Sequence, residues 1–178
     1  MAVTHTILFS GHMIDGPDPG LQPRFPAENE EKVKEAILAY LKGTSQPVKG
    51  IASGACGGDI LFLEACLELG IPGEMYLPFV PGVFKQQSVS FAGRQWEMRF
   101  DKLLAGLSVH VLGTTGEGNV YQQVNEWMLT EALHNGAEQM TLMVVWDGVK
   151  KGRNGGTSRM VEAAEKHNVK IKIINPLF

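Results

Sequence analysis

The sequence predicts an α/β fold: a single Rossmann-like domain over residues 1–178, with about six strands in a mostly parallel sheet, helices on both faces and three layers in all. Three observations lead there. Short apolar runs alternate with helical patterns along the whole chain, and right-handed strand–helix–strand crossovers turn such repeats into parallel sheets. Several runs, Leu142-Met143-Val144-Val145-Trp146 above all, are apolar without a break, as strands covered on both faces must be. Glycine-rich turns follow the runs directly, where an open parallel sheet holds its ligands.

Residues 6–10 form the first predicted strand, followed by an irregular stretch, 13–25, rich in proline and glycine. A helix over 27–41 puts Val33, Ile37, Tyr40 and Leu41 on one stripe. Pro26 suits its start, and Glu28, Glu30, Glu31 and Lys42 follow the charge order that a helix dipole favours. A strand over 48–52 leads through a glycine-rich loop to a helix over 59–69 that Gly70 stops. After a strand over 74–77 comes a second irregular stretch, 79–93, then a helix over 95–104 and a strand over 108–112. The rest reads as a helix over 120–135 stopped by Gly136, a strand over 141–146, a helix over 158–167 and a strand over 169–174. Irregular stretches as long as 13–25 and 79–93 are commonly lids or binding segments, or else plain surface loops.

Composition narrows the class of partner. A chain of 178 residues buries roughly 70% of its unfolded surface, so neither metal nor disulfide is needed to hold it together. The net charge is −3 and the 16 basic residues form no polybasic run, which argues against long nucleic acid as the main partner. No apolar run approaches the ~18 residues of a membrane span and no secretory leader is visible, so the expected location is cytoplasmic. Cys56 and Cys66 fall in or beside one helix, about 15 Å apart at ~1.5 Å per residue, beyond disulfide reach. Both read as packing thiols, although Cys56 stands in a glycine-rich loop that leaves its reactivity open. His5, His12, His110, His134 and His167 share no ligand spacing, so no metal is expected, and no cofactor is assigned.

Four strand ends offer groups to a ligand. Ser10-Gly11-His12 combines a close-approach glycine with two hydrogen-bonding side chains. Ser53-Gly54-Ala55-Cys56-Gly57-Gly58-Asp59 opens directly into a helix, and amides gathered at a helix start make a seat for phosphate or carboxylate. This loop matches neither the Walker A pattern nor the dinucleotide fingerprint. Asp59 reads as the helix N-cap or as a contact to ribose or purine, and Glu64 as an exposed residue or one reaching back to the loop. The third end, 113–119, is a flexible turn or a flap over a ligand. At the fourth, Asn154-Gly155-Gly156-Thr157-Ser158 follows Lys150, Lys151 and Arg153 and sets glycines at a helix start again, or forms a solvated basic loop. Trp96 and Phe100 read as core, which leaves Arg94 or Arg99 to reach an anion.

These residues resemble a known group. The Ser53–Ile60 loop, the later Gly155-Gly156-Thr157 helix start and the closing Asn175-Pro176 are similar to the superfamily that unites DNA-processing protein A and the Lonely Guy phosphoribohydrolases, called SLOG. Phe9-Ser10-Gly11-His12-Met13, Leu77-Pro78-Phe79, Ser88-Val89 and the 96–100 segment resemble its bacterial Rossmann-like members, and the resemblance covers nearly the whole chain. It implies nucleotide-type ligands held by Gly11, Ser53, Gly54, Gly57, Gly58, Asp59, Gly155, Gly156 and Thr157, and a homodimer as the assembly. The Lonely Guy enzymes carry Pro-Gly-Gly-x-Gly-Thr-x-x-Glu; here Met160 stands three residues after Thr157 and Glu162 two places too late, which weighs against N-glycosidic hydrolysis.

The leading expectation is a domain that binds a nucleotide or nucleotide-derived small molecule as a sensor or carrier. Phosphate would rest at 57–59 and 155–158, with Ser10, His12 or Arg99 completing the pocket. One alternative is cleavage of a nucleoside 5′-monophosphate at its glycosidic bond, with Asp59, Glu64 or Glu162 as the carboxylate. The other is a protein- or single-strand-DNA-interaction module.

Overall fold

Successive residues of a strand point to opposite faces, and the first strand uses this to serve two cores. The computed structural model describes residues 4–17, 22–46, 48–113, 118–150 and 156–178. Its strands are β1 (His5–Gly11), β2 (Val48–Ala52), β3 (Gly73–Leu77), β4 (Ser108–Val111), β5 (Met140–Val145) and β6 (Lys170–Ile174). They pair in the order β4-β3-β2-β1-β5-β6, and every pairing is parallel. The fold is the expected α/β Rossmann-like arrangement.

Helices α1 (Glu30–Lys42), α2 (Gly58–Glu68) and α4 (Arg94–Gly106) cover one face. There Ile7 and Phe9 pack with Val33 and Ile37 of α1, Phe62 of α2 and Phe100 of α4. Helices α5 (Val120–Ala132) and α6 (Thr157–Lys166) cover the other, where Leu8 joins Val124, Met128, Met160 and Val161. Trp96 and Phe100 are buried, as expected.

Helix α2 is buried nearly all round because it lies between the sheet and its neighbours α1 and α4. Its close seat depends on a missing side chain: a Cβ on Gly50 of β2 would stand 2.7 Å from the Cys66 sulfur. Phe9 and Phe62 stack across the same contact with ring centroids 4.8 Å apart.

One element departs from expectation. Within the stretch expected to be irregular, 79–93, the chain forms helix α3 (Pro81–Ser88) and a 3-10 turn at Ser90–Ala92. Pro81 at the first position fixes the helical φ, but only Phe84 and Ser88 of α3 are buried, too few to make a readable apolar period. The expected start at residue 27 is a 3-10 turn, Ala27–Asn29, which leads into α1.

Candidate functional site

From β1 the chain steps outward through β2 and β3 to β4, then crosses back to β5 on the other side of β1. Strand order therefore reverses between β1 and β5, and connections leaving in opposite directions open a crevice beyond their carboxyl ends. A crevice of about 330 Å³ lies there. Ser10, Gly11 and His12 line it from β1, Ser53 and Asp59 from the β2–α2 connection, Ser88 and Tyr121 from α3 and α5, and Gly156, Thr157 and Ser158 from the start of α6.

The start of α6 is open. Its N-cap is Gly156, so no side chain caps the first turn, and helix-start amides have no partners within the helix. Ser10 Oγ donates to Thr157 Oγ1 at 3.4 Å, tying β1 to this turn. Ser158 is 8% exposed and its hydroxyl makes no hydrogen bond to another residue among those described. Hydroxyls beside helix-start amides that no side chain caps are an arrangement that an anion can complete.

The loop before α2 is partly tied up by the chain itself. Asp59 Oδ2 accepts the N–H groups of Gly54 and Ala55, both at 3.2 Å. Cys56 N–H donates to the Ser88 carbonyl at 3.0 Å and Gly58 N–H to the His12 carbonyl at 3.1 Å. The amides of Gly54, Ala55, Cys56 and Gly58 are thus engaged, whereas no acceptor for the Gly57 or Asp59 N–H is seen among the described residues. Nor is Asp59 the N-cap: that position is Gly57, without a side-chain cap, and Asp59 folds back from the first turn. Burial pushes its carboxyl up to about 7 against the lowering pull of the backbone N–H groups of Ala55, Gly54 and Gly11.

Packing accounts for the glycines here. Gly57 has φ +104° and sits in an antiparallel bridge with Met13, so a Cβ would meet Ile14 N at 2.4 Å. A Cβ on Gly11 would stand 3.3 Å from Gly58 Cα, so β1 and α2 touch backbone to backbone.

His12 and Arg24, which line the crevice, meet Asp147, which does not. His12 Nε2 is 3.0 Å from Asp147 Oδ1, while Arg24 Nη2 at 3.1 Å and the Asp147 N–H at 3.2 Å approach the same nitrogen. Arg24 Nε reaches Asp147 Oδ2 at 3.4 Å. Burial lowers the His12 pKa, with Arg24 adding to the fall and the hydrogen bond to Asp147 opposing it. Burial raises the Asp147 carboxyl, but hydrogen bonds from His12 and the Val149 N–H, with Arg24 nearby, outweigh it and hold the group below its usual range.

Other candidates lie elsewhere. Arg99 does not line the crevice: it bonds Glu64 at 2.8 and 2.7 Å and Glu30 at 2.6 Å, and it stacks over Trp96 at 4.1 Å. This guanidinium clamps α1, α2 and α4 together, and Glu64 is spent in the same clamp. Glu162 is exposed and lines a separate groove of about 280 Å³ between α5 and α6. Arg94 is exposed. Cys56 and Cys66 are free and buried, and burial pushes each thiol up to about 12. Gly155, Lys151, Arg153, Asn154 and residues 114–117 lie outside the described residues. Of the 113–119 loop, Asn119 caps α5, accepting the N–H groups of Tyr121 and Gln122. Among the described residues no group of three or more His, Cys, Asp or Glu could hold a metal, and no helix is long and apolar enough to cross a membrane.

Arg24, Asp147 and Tyr121 were not singled out from the sequence. Asp147 follows a strand directly, and that position was a usable signal. Arg24 carried none: its place depends on the Asp15 carboxylate, which accepts the N–H groups of Arg24 at 2.9 Å and Phe25 at 3.0 Å. Tyr121 is brought to the crevice by α5 and donates to Gln87 of α3 at 3.0 Å, in the segment whose helix went unrecognised.

No protein-family model matches the chain, and neither does any curated protein. Among solved structures the chain is similar to the X-ray structure of DNA processing protein A (DprA) from Streptococcus pneumoniae, with a TM-score of 0.54 and 13% identity. The match covers 96% of this chain and 50% of that one, so the chain spans about half the length of its structural neighbour. At this identity the likeness is one of fold.

Proposed function

We propose that the protein binds a nucleotide or nucleotide-derived small molecule in the crevice between β1 and β5, as a cytoplasmic sensor or carrier within the SLOG superfamily. The observation that carries this is the start of α6, which no side chain caps and which presents Gly156, Thr157 and Ser158 to the crevice. Phosphate sits there, on the Thr157 and Ser158 turn, with Ser10 adjacent. Because the amides of Gly54, Ala55, Cys56 and Gly58 are already engaged, the α6 start is the better of the two seats. Its volume of about 330 Å³ is near the low end for small-molecule sites and suits a mononucleotide better than a dinucleotide.

Thermal unfolding in the presence of the common nucleoside 5′-monophosphates tests this reading. A ligand at 100 times its dissociation constant adds about 2.7 kcal/mol, which raises the midpoint of a domain this size by about 5–10 °C. No shift with any of them sinks the proposal.

Glycosidic cleavage is the second reading, and it narrows to Asp59, since Glu64 and Glu162 do not line the crevice. The raised carboxyl of Asp59 favours it as a proton donor near neutral pH. Chromatographic detection of free base and ribose 5-phosphate, abolished in Asp59→Asn, would establish it over simple binding.

A further inference from the structure

We infer that Arg24 reads the negative charge of the crevice's ligand, and that Asp147 and His12 hold its guanidinium at the mouth until the anion takes it over. The inference rests on the crevice reading above and adds a residue and a mode of recognition to it. Among the described residues that line the crevice, Arg24 is the sole lysine or arginine. Three segments converge to place it: Asp15 fixes its backbone, the end of β1 supplies His12, and the end of β5 supplies Asp147.

The guanidinium is held loosely. Its Nε lies 3.4 Å from Asp147, its Nη2 lies 3.1 Å from His12, and its Nη1 has no hydrogen-bond partner among the described residues. Arg99, by contrast, spends all three nitrogens on carboxylates at 2.6–2.8 Å. Phosphate oxygens match the planar fork of a guanidinium two at a time, which neither of Arg24's present partners does. Arg24 is also 32% exposed on its side chain, whereas Asp147 beneath it is 5% exposed, so the cation faces the crevice and its counter-ion lies behind it.

Moving Arg24 onto an anion changes its neighbour. Two donors, Arg24 Nη2 and the Asp147 N–H, compete at His12 Nε2 with one acceptor, Asp147 Oδ1. The charged groups acting on His12 are Arg24, Asp147 and Asp15. When the one cation among them turns to the ligand, the remaining carboxylates favour a proton on Nε2 facing Asp147. Binding is therefore coupled to proton uptake at slightly acidic pH.

Calorimetric titration of nucleoside 5′-monophosphates, and of the matching nucleosides, into wild type, Arg24→Gln, Arg24→Lys and Asp147→Asn tests this. The expected result is at least tenfold weaker monophosphate binding in Arg24→Gln with nucleoside binding unchanged, and a smaller loss in Arg24→Lys. Asp147→Asn, which removes the competing carboxylate, binds the monophosphate several-fold more tightly. In wild type at pH 6, titrations in two buffers of different ionisation heat show net proton uptake. The assignment is overturned if wild type binds and Arg24→Gln binds equally well, or if Asp147→Asn weakens binding as Arg24→Gln does. Should Arg24→Gln fail to fold by circular dichroism, Arg24→Lys and Asp147→Asn decide. A wild-type protein that binds no monophosphate overturns the crevice reading, and this assignment with it.

Discussion

Asp59 Oδ2 lies 3.2 Å from the Gly54 amide nitrogen, so the first turn of α2 reaches back and fastens the loop that leads into it. The fastening confines a carboxyl to a fully buried place, where its pKa rises to about 7. A carboxylic acid with a raised native pKa binds protons more tightly folded than unfolded, so its contribution is fully present below pH ~4 and is lost as pH rises to about 7. Asp59→Asn keeps an acceptor for Gly54 and Ala55 and removes this loss. Urea unfolding should show the variant gaining on wild type between pH 4 and 7, by an amount of order 4 kcal/mol, and holding that gain above pH 7. A constant difference across that range would contradict the buried acid.

Gly57 combines a left-handed φ with a backbone neighbour at 2.4 Å from any Cβ. Gly57→Ala should cost about 3 kcal/mol or more, read from the urea midpoint, because neither the φ nor Ile14 can give way without breaking the Met13–Gly57 bridge.

Ser158→Ala separates stability from binding. Its hydroxyl has no hydrogen-bond partner among the described residues, so the thermal midpoint should hold to within the change expected of a neutral substitution, about 0.5 kcal/mol. Monophosphate affinity should fall about tenfold or more, the worth of one hydrogen bond to a charged group, as measured by calorimetry.

Arg99→Ala should behave in the opposite way. It breaks the clamp on Glu30 and Glu64, whose side chains are 32% and 26% exposed, so after allowance for solvent screening the loss is about 1–2 kcal/mol. Ligand affinity should not change. A variant that loses affinity without losing stability would return Arg99 to the binding site.

The sheet and five helices were legible because each answers to a local rule. Val33, Ile37 and Leu41 announce α1 by spacing, and 142–146 announces a covered strand by unbroken apolarity. Helix α3 was hidden because its buried side is two residues wide. The site was half legible. Ser10, Thr157 and Ser158 follow from the rule that ligands gather beyond strand ends, and they do line the crevice. The glycine-rich loop was legible only in part: its composition signals exposed amides, whereas Asp59, Ser88 and His12 take up four of them. Two of those partners, Ser88 and His12, are remote in sequence, as is Asp147 from the Arg24 it helps to position, and no local pattern encodes a remote pairing.

The backbone contact of Gly11 with Gly58, backed by the stacked rings of Phe9 and Phe62, makes one flank of the crevice an unyielding wall. Any redesign of ligand preference has to be made on the other flank. Val124 and Met128 of α5 are the positions to vary there, since they line the crevice from the opposite face of the sheet and leave the wall's glycine contacts untouched.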